Sequence, residues 1–437
     1  MSDRWLYAWG LVSLGLGGAS LIVPLYVVEL GGGPATLGIL AAAAAAAGAP
    51  GALGAGVLSD RTGRRRSYVL AAVGVVSAAL AAVPALDSIA AVVVVNAVIW
   101  LAFAAAVPIL TLLAVVGTAE SAWSDRIARL NEIQGVGWAL GLLVGFLVVV
   151  AGERLGLSAV DAQRAACLVY AASTAVGGLV AARSLPADGG AGRTPAPRRL
   201  RRAIRDARRF GVRGAGFPFT PRRMDLRGLH PRRFSRRFTP ELATFFLAVV
   251  LVFAGFGAFF APLPAYLASV GTSDGGVFGL YLALNVAAAA FFGASAALTS
   301  RYEVTLVHSA GLAVRGVAIP AVALTGGLLA PVVLLFVVIG LSWAVLAVSA
   351  GTLVTRLSPA IVRGEALGVY SALSTFASGV GSVAGGWLAA TGYDRTFAAA
   401  GGVVLVGAMV VLSLRRRVSR RSAADAERTL YSTDRSE

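Results

Sequence analysis

Lysine is absent from the 437 residues, so all 38 basic side chains are arginines. Charge of either sign is scarce: 14% of residues carry it, against about a quarter in soluble globular domains. With 57% hydrophobic residues and a mean hydropathy of +0.79, that scarcity excludes a water-soluble globular chain. A single cysteine, Cys167, sits in the apolar run AACLVYAAS, which excludes a disulfide framework and a thiolate metal site. Besides His230 and His308 there is no histidine, and no His/Asp/Glu or Ser/His cluster falls at a membrane face. No metal, no cofactor and no catalytic residues are therefore expected.

What is present is apolar sequence in stretches of about 20 residues, each long enough to cross a hydrocarbon layer of roughly 30 Å. The first runs from Trp5 to Val28, longer than a signal-peptide core, and reads as an uncleaved span. Twelve spans are predicted, at 5–29, 36–58, 67–86, 89–116, 129–150, 164–185, 242–268, 276–299, 304–324, 332–355, 366–390 and 396–414. They are continuously apolar rather than alternating, which selects helices over barrel strands. The expected fold is all-α and integral to the membrane. It comprises a six-helix bundle at 1–186, an arginine-rich linker at 187–240, a second six-helix bundle at 241–418 and a tail at 419–437. All but four arginines fall in the N-terminus, the even-numbered connections and the tail; the exceptions are Arg154, Arg164, Arg315 and Arg395. Basic residues gather on the cytoplasmic side, so both termini are expected there, in a multi-pass protein of the plasma membrane.

The two bundles repeat. A shift of 240 positions places Pro24, Tyr26 and Gly31 on Pro264, Tyr266 and Gly271, Leu58 and Arg61 on Leu298 and Arg301, and Gly141 and Gly145 on Gly381 and Gly385. Six spans per copy is an even number, so the copies share an orientation and are related by a pseudo-two-fold axis along the membrane normal.

The linker holds 16 arginines between Arg193 and Arg237, a large part of the formal net charge of +17. Leu200, Ala203, Ile204 and Ala207 share a helical face there, which suits either a short helix on the inner leaflet or a solvated basic linker. No folded recognition element accompanies the charge, so a nucleic-acid partner is not expected, and the partner at hand is the lipid bilayer.

Between spans 2 and 3 runs GVLSDRTGRRRSY. Gly56 lets two helices approach, Gly63 permits a tight turn, and Asp60 stands among arginines at the membrane boundary. Gly56, Leu58, Asp60, Arg61, Gly63, Arg64 and Arg65 meet the pattern G-x-L-x-D-R-x-G-R-[RK], and with the twelve spans, the repeat and the long central connection the whole chain resembles the major facilitator superfamily. The resemblance implies a secondary active transporter, a monomer, whose halves rock about a central site. It implies a latch in which Asp60 meets the start of span 11, near Arg363 to Ala366, and Arg64 pairs with Glu120. The copy in the second half is degenerate, with Ser300 for the aspartate and Glu303 where the glycine would fall.

Polar groups inside spans mark transport sites. Since the family lines its cavity with spans 1, 4, 7 and 10, helped by 2, 5, 8 and 11, the expected solute contacts are Tyr26, Asn96, Gln134, Tyr266 and Asn285, each equally suited to a helix-to-helix hydrogen bond. Ser371, Ser374 and Ser378 are further candidates. Trp138 and Trp343 are read as packing before cavity aromatics, and Gly137, Gly141 and Gly145 as a close-packing stripe. Arg315 lies roughly 16 Å into its span, as an anion or coupling site or as a structural pairing. Glu29 and Glu132 are the acids available to a coupling proton, both near span ends. Sparse charge leans towards a neutral or lipophilic solute, exported rather than a metabolite taken up. The alternative from another class is a non-transporting membrane sensor or scaffold.

Overall fold

The computed structural model describes residues 4–115, 118, 123–186, 238–358 and 363–433; the side chains of residues 53, 56, 57, 60, 123, 124, 363–365 and 416–433 fall outside that description. Among the described residues, twelve helical spans are long and apolar enough to cross a membrane. In order they are Arg4–Glu29, Pro34–Thr62, Arg65–Ala82, Ile89–Val115, Trp123–Arg154, Ala159–Ser184, Pro240–Phe260 continued by Leu263–Ser269, Asp274–Arg301, Val304–Leu324, Leu329–Leu357, Arg363–Ala389 and Tyr393–Thr433. They are called spans 1 to 12.

Most boundaries fall within six residues of expectation, and two differences go further. Span 7, read as continuous over 242–268, breaks after Phe260 and resumes at Leu263. Pro262 and Pro264 bring no N–H to the carbonyls of Ala258 and Phe260, and two such losses two residues apart end the helix. Span 1 has only Pro24 at the corresponding place and stays helical to Glu29. Span 12 continues helically to Thr433, through most of the expected tail.

In the first half span 1 packs on spans 5 and 6, span 2 on span 4, and span 3 on spans 4 and 6. In the second half span 7 packs on spans 11 and 12, span 8 on span 10, and span 9 on spans 10 and 12. The repeat is visible at single contacts. A Cβ on Gly141 would stand 2.1 Å from the Leu14 carbonyl oxygen, and one on Gly381 2.0 Å from that of Ala254, the partner 240 positions on. Likewise Gly17 meets the Trp138 carbonyl at 2.3 Å and Gly257 that of Ser378 at 2.1 Å. Glycine lets backbone touch backbone in both crossings, which is how helices gain packing energy where lipid supplies no hydrophobic drive. The turns ending spans 1 and 7 repeat as well: Gly31 (φ 85°) donates to the Val28 carbonyl and Gly271 (φ 79°) to that of Ala268.

The halves meet where span 2 lies on span 11 and span 5 on span 8. The close contacts of these pairs sit away from the arginine-rich ends. Gly38 approaches the Ser382 carbonyl, Gly386 approaches the Pro34 carbonyl, Gly145 touches Phe278, and Gly275 touches Val150. Gln163 Nε2 of span 6 donates to Asp274 Oδ2 of span 8 at 2.5 Å on the same side.

Candidate functional site

Beneath that seam a cleft lies between the halves, about 620 Å³ of space between atoms with its opening to solvent included. Span 1 contributes Ser20 and Pro24, span 2 Leu40 and Ala44, span 4 Asn96 and Trp100, span 7 Phe260 and Pro264, and span 8 Tyr281. The repeat brackets it, since Ser20 and Phe260, and Pro24 and Pro264, stand 240 positions apart.

Its walls are apolar apart from a few groups. Asn96 is buried, and among the described residues it makes no hydrogen bond; nor does the indole N–H of Trp100, one helical turn on. A carboxamide is a strong donor and acceptor, and buried polar groups are ordinarily paired. Both side chains turn to the cavity, so both are free for a solute. Behind Trp100 lies an aromatic wall. Phe103 stacks on Trp9 at 5.2 Å between ring centroids, and Trp138 stands 6.1 Å from Trp100.

The other expected contacts are placed elsewhere. Tyr26 is fully buried and its hydroxyl donates to the Leu86 carbonyl at 3.0 Å; Tyr266 donates to the Val322 carbonyl at 3.1 Å. Neither lines the cavity. Each ties the end of the first span of its half to the end of the third, one repeated structural bond. Tyr26→Phe and Tyr266→Phe are each expected to cost about 1 kcal/mol of stability, additively, with transport retained. Melting curves and flux of the single and double variants check this; loss of flux at wild-type stability would restore a solute contact. Gln134 accepts from Trp9 Nε1 at 3.2 Å, joining spans 1 and 5, and Asn285 Nδ2 donates to the Tyr281 carbonyl at 2.8 Å within its own helix. Ser374 is bonded to the Ser371 carbonyl, whereas the buried Ser378 hydroxyl has no partner among the described residues. Of the five expected contacts, Asn96 alone is on the cavity wall. Trp100, Phe260, Tyr281 and the two prolines were not singled out as contacts, and the 240-residue repeat of Pro24 in Pro264 was the available signal.

At the motif between spans 2 and 3, Gly63 takes the left-handed conformation (φ 71°) that closes span 2, its N–H donating to the Ser59 carbonyl, and Arg64 precedes the first turn of span 3. Arg61 and Arg64 are exposed, and the buried Arg65 Nε has no partner among the described residues. Arg66, not expected to matter, bonds the Ala182 carbonyl of span 6. Glu120, the side chains of Gly56 and Asp60, and the linker over 187–237 lie outside the described residues. In the second half Glu303 pairs with Arg415 of span 12 at 2.7 Å.

Glu29 is exposed at the end of span 1, and Glu132 is exposed in a pair with Arg129 at 2.9 Å. Neither acid reaches the cavity. Arg315 is 1% exposed. Its Cζ lies 4.4 Å from the centre of the Phe256 ring, 5.5 Å from Phe260 and 5.4 Å from Trp343, and Nη1 donates to the Ile339 carbonyl at 3.3 Å. An arginine at mid-span costs about 3 kcal/mol on insertion scales. A desolvated contact with an aromatic face is worth about 2 kcal/mol, so three faces are of the size needed to hold it there. Among the described residues no group of three or more His, Cys, Asp or Glu could hold a metal ion.

Against solved structures the fold has wide company. The chain superimposes on a variant of the nucleoside transporter NupG with a TM-score of 0.69 at 14% identity, covering 94% of this chain and 100% of that one. The xylose transporter XylE from E. coli, in a partially occluded inward-open conformation, gives 0.64 at 14% identity over 94% and 97%. A variant of the peptide transporter POT gives 0.66 at 18% identity over 95% and 94%. No curated protein matches the sequence. Residues 8–360 match the description Major Facilitator Superfamily. With twelve spans in two repeated halves and a cavity between them, the chain belongs to the major facilitator superfamily.

Proposed function

We propose that the chain is a secondary active transporter of a small, largely apolar solute, working by alternating access in the plasma membrane with both termini in the cytoplasm. The observation that carries this reading is the cavity between the halves, with Asn96 and Trp100 unpaired on its wall. Arginine-rich ends face the cytoplasm, so the seam of spans 2 with 11 and 5 with 8 closes the outer side, and the state described is closed to the outside. Apolar walls suit a neutral or lipophilic compound, and export is the preferred direction. Uptake of a metabolite is the second reading, favoured by the free carboxamide of Asn96. Proton coupling is not part of this reading: among the described residues the cavity wall holds no aspartate or glutamate, and the half-buried Asp274 stands at the seam on Gln163. The protein acts as a monomer, each chain holding a whole cavity.

A solute screen by thermal shift on purified protein, at two pH values, tests this. A bound solute at 100 times its Kd stabilises by about 2.7 kcal/mol. Asn96→Leu, which removes the free polar group, is expected to weaken the hit about tenfold while the protein stays folded. Hits insensitive to Asn96→Leu, or none across solute classes, would sink the reading.

A further inference from the structure

Arg315 is the only aspartate, glutamate or arginine among the described residues that is buried. A guanidinium presents five N–H donors in a planar fork. Here it makes one protein hydrogen bond, to the Ile339 carbonyl, and its Nε is buried with no partner. No carboxylate of the described residues approaches it. The aromatic rings attract its charge through their faces, but they accept none of the in-plane N–H groups. The guanidinium therefore has charge compensation but a single hydrogen-bond partner, and an oxyanion with two oxygens is the ligand that would match its remaining N–H groups.

The place of Arg315 fits that ligand. Phe260, whose ring covers the guanidinium at 5.5 Å, is also part of the cavity wall. One aromatic ring thus separates the buried cation from the space between the halves. The helix of span 7 ends at Phe260, and the Ala261–Pro262 break follows at once, so this ring sits at the one point of span 7 where the backbone is not held by helix bonds on both sides. For a solute in the cavity to reach Arg315, the Phe260 ring has to move aside.

We infer that Arg315 is the binding point for a carboxylate carried by an otherwise apolar solute, with the body of that solute against Trp100 and the leucines of the cavity and its charged end on the guanidinium behind Phe260. One cation matches one carboxylate, whereas a phosphate dianion would remain half-neutralised. This rests on the cavity being the transport site and sharpens its solute class from lipophilic to lipophilic organic acid; an uncharged carbonyl can accept from the fork but does not meet it as a charged, two-oxygen partner.

The test compares 1-naphthoate with 1-naphthamide, equal in shape and different in charge, by thermal shift on the purified full-length protein. Naphthoate is expected to stabilise at a concentration at least about tenfold lower than naphthamide, the size of a charge-assisted bidentate pair. Arg315→Gln is expected to abolish that preference, and Arg315→Lys, which keeps the charge and loses the fork, to cut it to about threefold. Equal binding of both probes to the wild type overturns the inference, as does an undiminished preference in Arg315→Lys, which carries the test if Arg315→Gln fails to fold. Chloride and inorganic phosphate alone form a further arm: stabilisation by either, with no preference for naphthoate, assigns the anion to the medium and also overturns it. Trp100→Ala separates this from the cavity reading. Equal binding of both probes that Trp100→Ala weakens removes only the acid, as does no binding of either probe when the wider solute screen gives hits, whereas binding that Trp100→Ala leaves unchanged removes the cavity as well.

Discussion

Gly38→Leu and Gly386→Leu each abolish transport in a protein that still folds. The two glycines belong to spans 2 and 11, in different halves, and meet on the side away from the arginine-rich ends. A Cβ on Gly38 would stand 2.3 Å from the Ser382 carbonyl oxygen, and one on Gly386 2.5 Å from that of Pro34. Neither obstacle is a side chain that could turn aside. Overpacking of this kind costs about 1–3 kcal/mol, and here it falls on one conformation, because the two spans separate when that side opens. A shift of about 3 kcal/mol changes a two-state ratio more than 100-fold, enough to hold the halves apart. Within each half the packing is untouched, so the melting temperature stays close to wild type. The conformational readout is a cysteine placed at Ser20, on the cavity wall, with Cys167 replaced by serine. A membrane-impermeant maleimide applied from the arginine-poor side labels it slowly in the otherwise wild-type protein and quickly with either leucine. Wild-type flux in Gly38→Leu would show that this seam does not close the cycle.

Gly141→Val and Gly381→Val act on the fold itself. The added carbons would lie 2.1 and 2.0 Å from the Leu14 and Ala254 carbonyl oxygens, inside one half in each case, where no conformational change relieves them. The helix pairs concerned, 1 with 5 and 7 with 11, are central to their bundles, and separating them removes contact along their whole length. The cost exceeds the usual overpacking range, and the expected result is little or no monodisperse protein on size exclusion. Gly54→Val is the control, since nothing lies within 4 Å of its added carbon. It is expected to change stability by less than about 0.5 kcal/mol. A Gly141→Val protein that elutes and melts like Gly54→Val would remove the account of the crossings given above.

The glycine stripe shows where pattern and packing agree. Gly137, Gly141 and Gly145 are legible because spacing by four on an apolar helix has one main use in lipid, and the offset of 240 identifies Gly381 and Gly385 as the same device. The free Asn96 was also legible, as a polar group in a span that the family turns to its cavity. Tyr26 and Tyr266 stood open in the sequence between a solute contact and a helix-to-helix bond, and the structure has each bonded to a neighbouring carbonyl. A tyrosine in a span needs an acceptor for its hydroxyl, but nothing in the string tells a solute from the carbonyl of Leu86 or Val322, because the acceptors belong to the end of another span. Arg315 was visible as a buried charge, and its aromatic enclosure was not, since Phe256, Phe260 and Trp343 come from spans 7 and 10.

By itself the sequence determined the number of spans, their common orientation in the two copies and the side on which the arginines gather. These follow from the length of apolar runs, the parity of six and the cost of moving charge through lipid, all of which are properties of the chain in one dimension. The tertiary structure alone decided which face of each span turns inward, and with it the cavity, the seam and the cage around Arg315. In a soluble helix the polar side announces the outward face, but in lipid both faces of a span are apolar and that signal vanishes. Direction is then set by close contacts such as Gly141 on Leu14, which exist only once the helices have met.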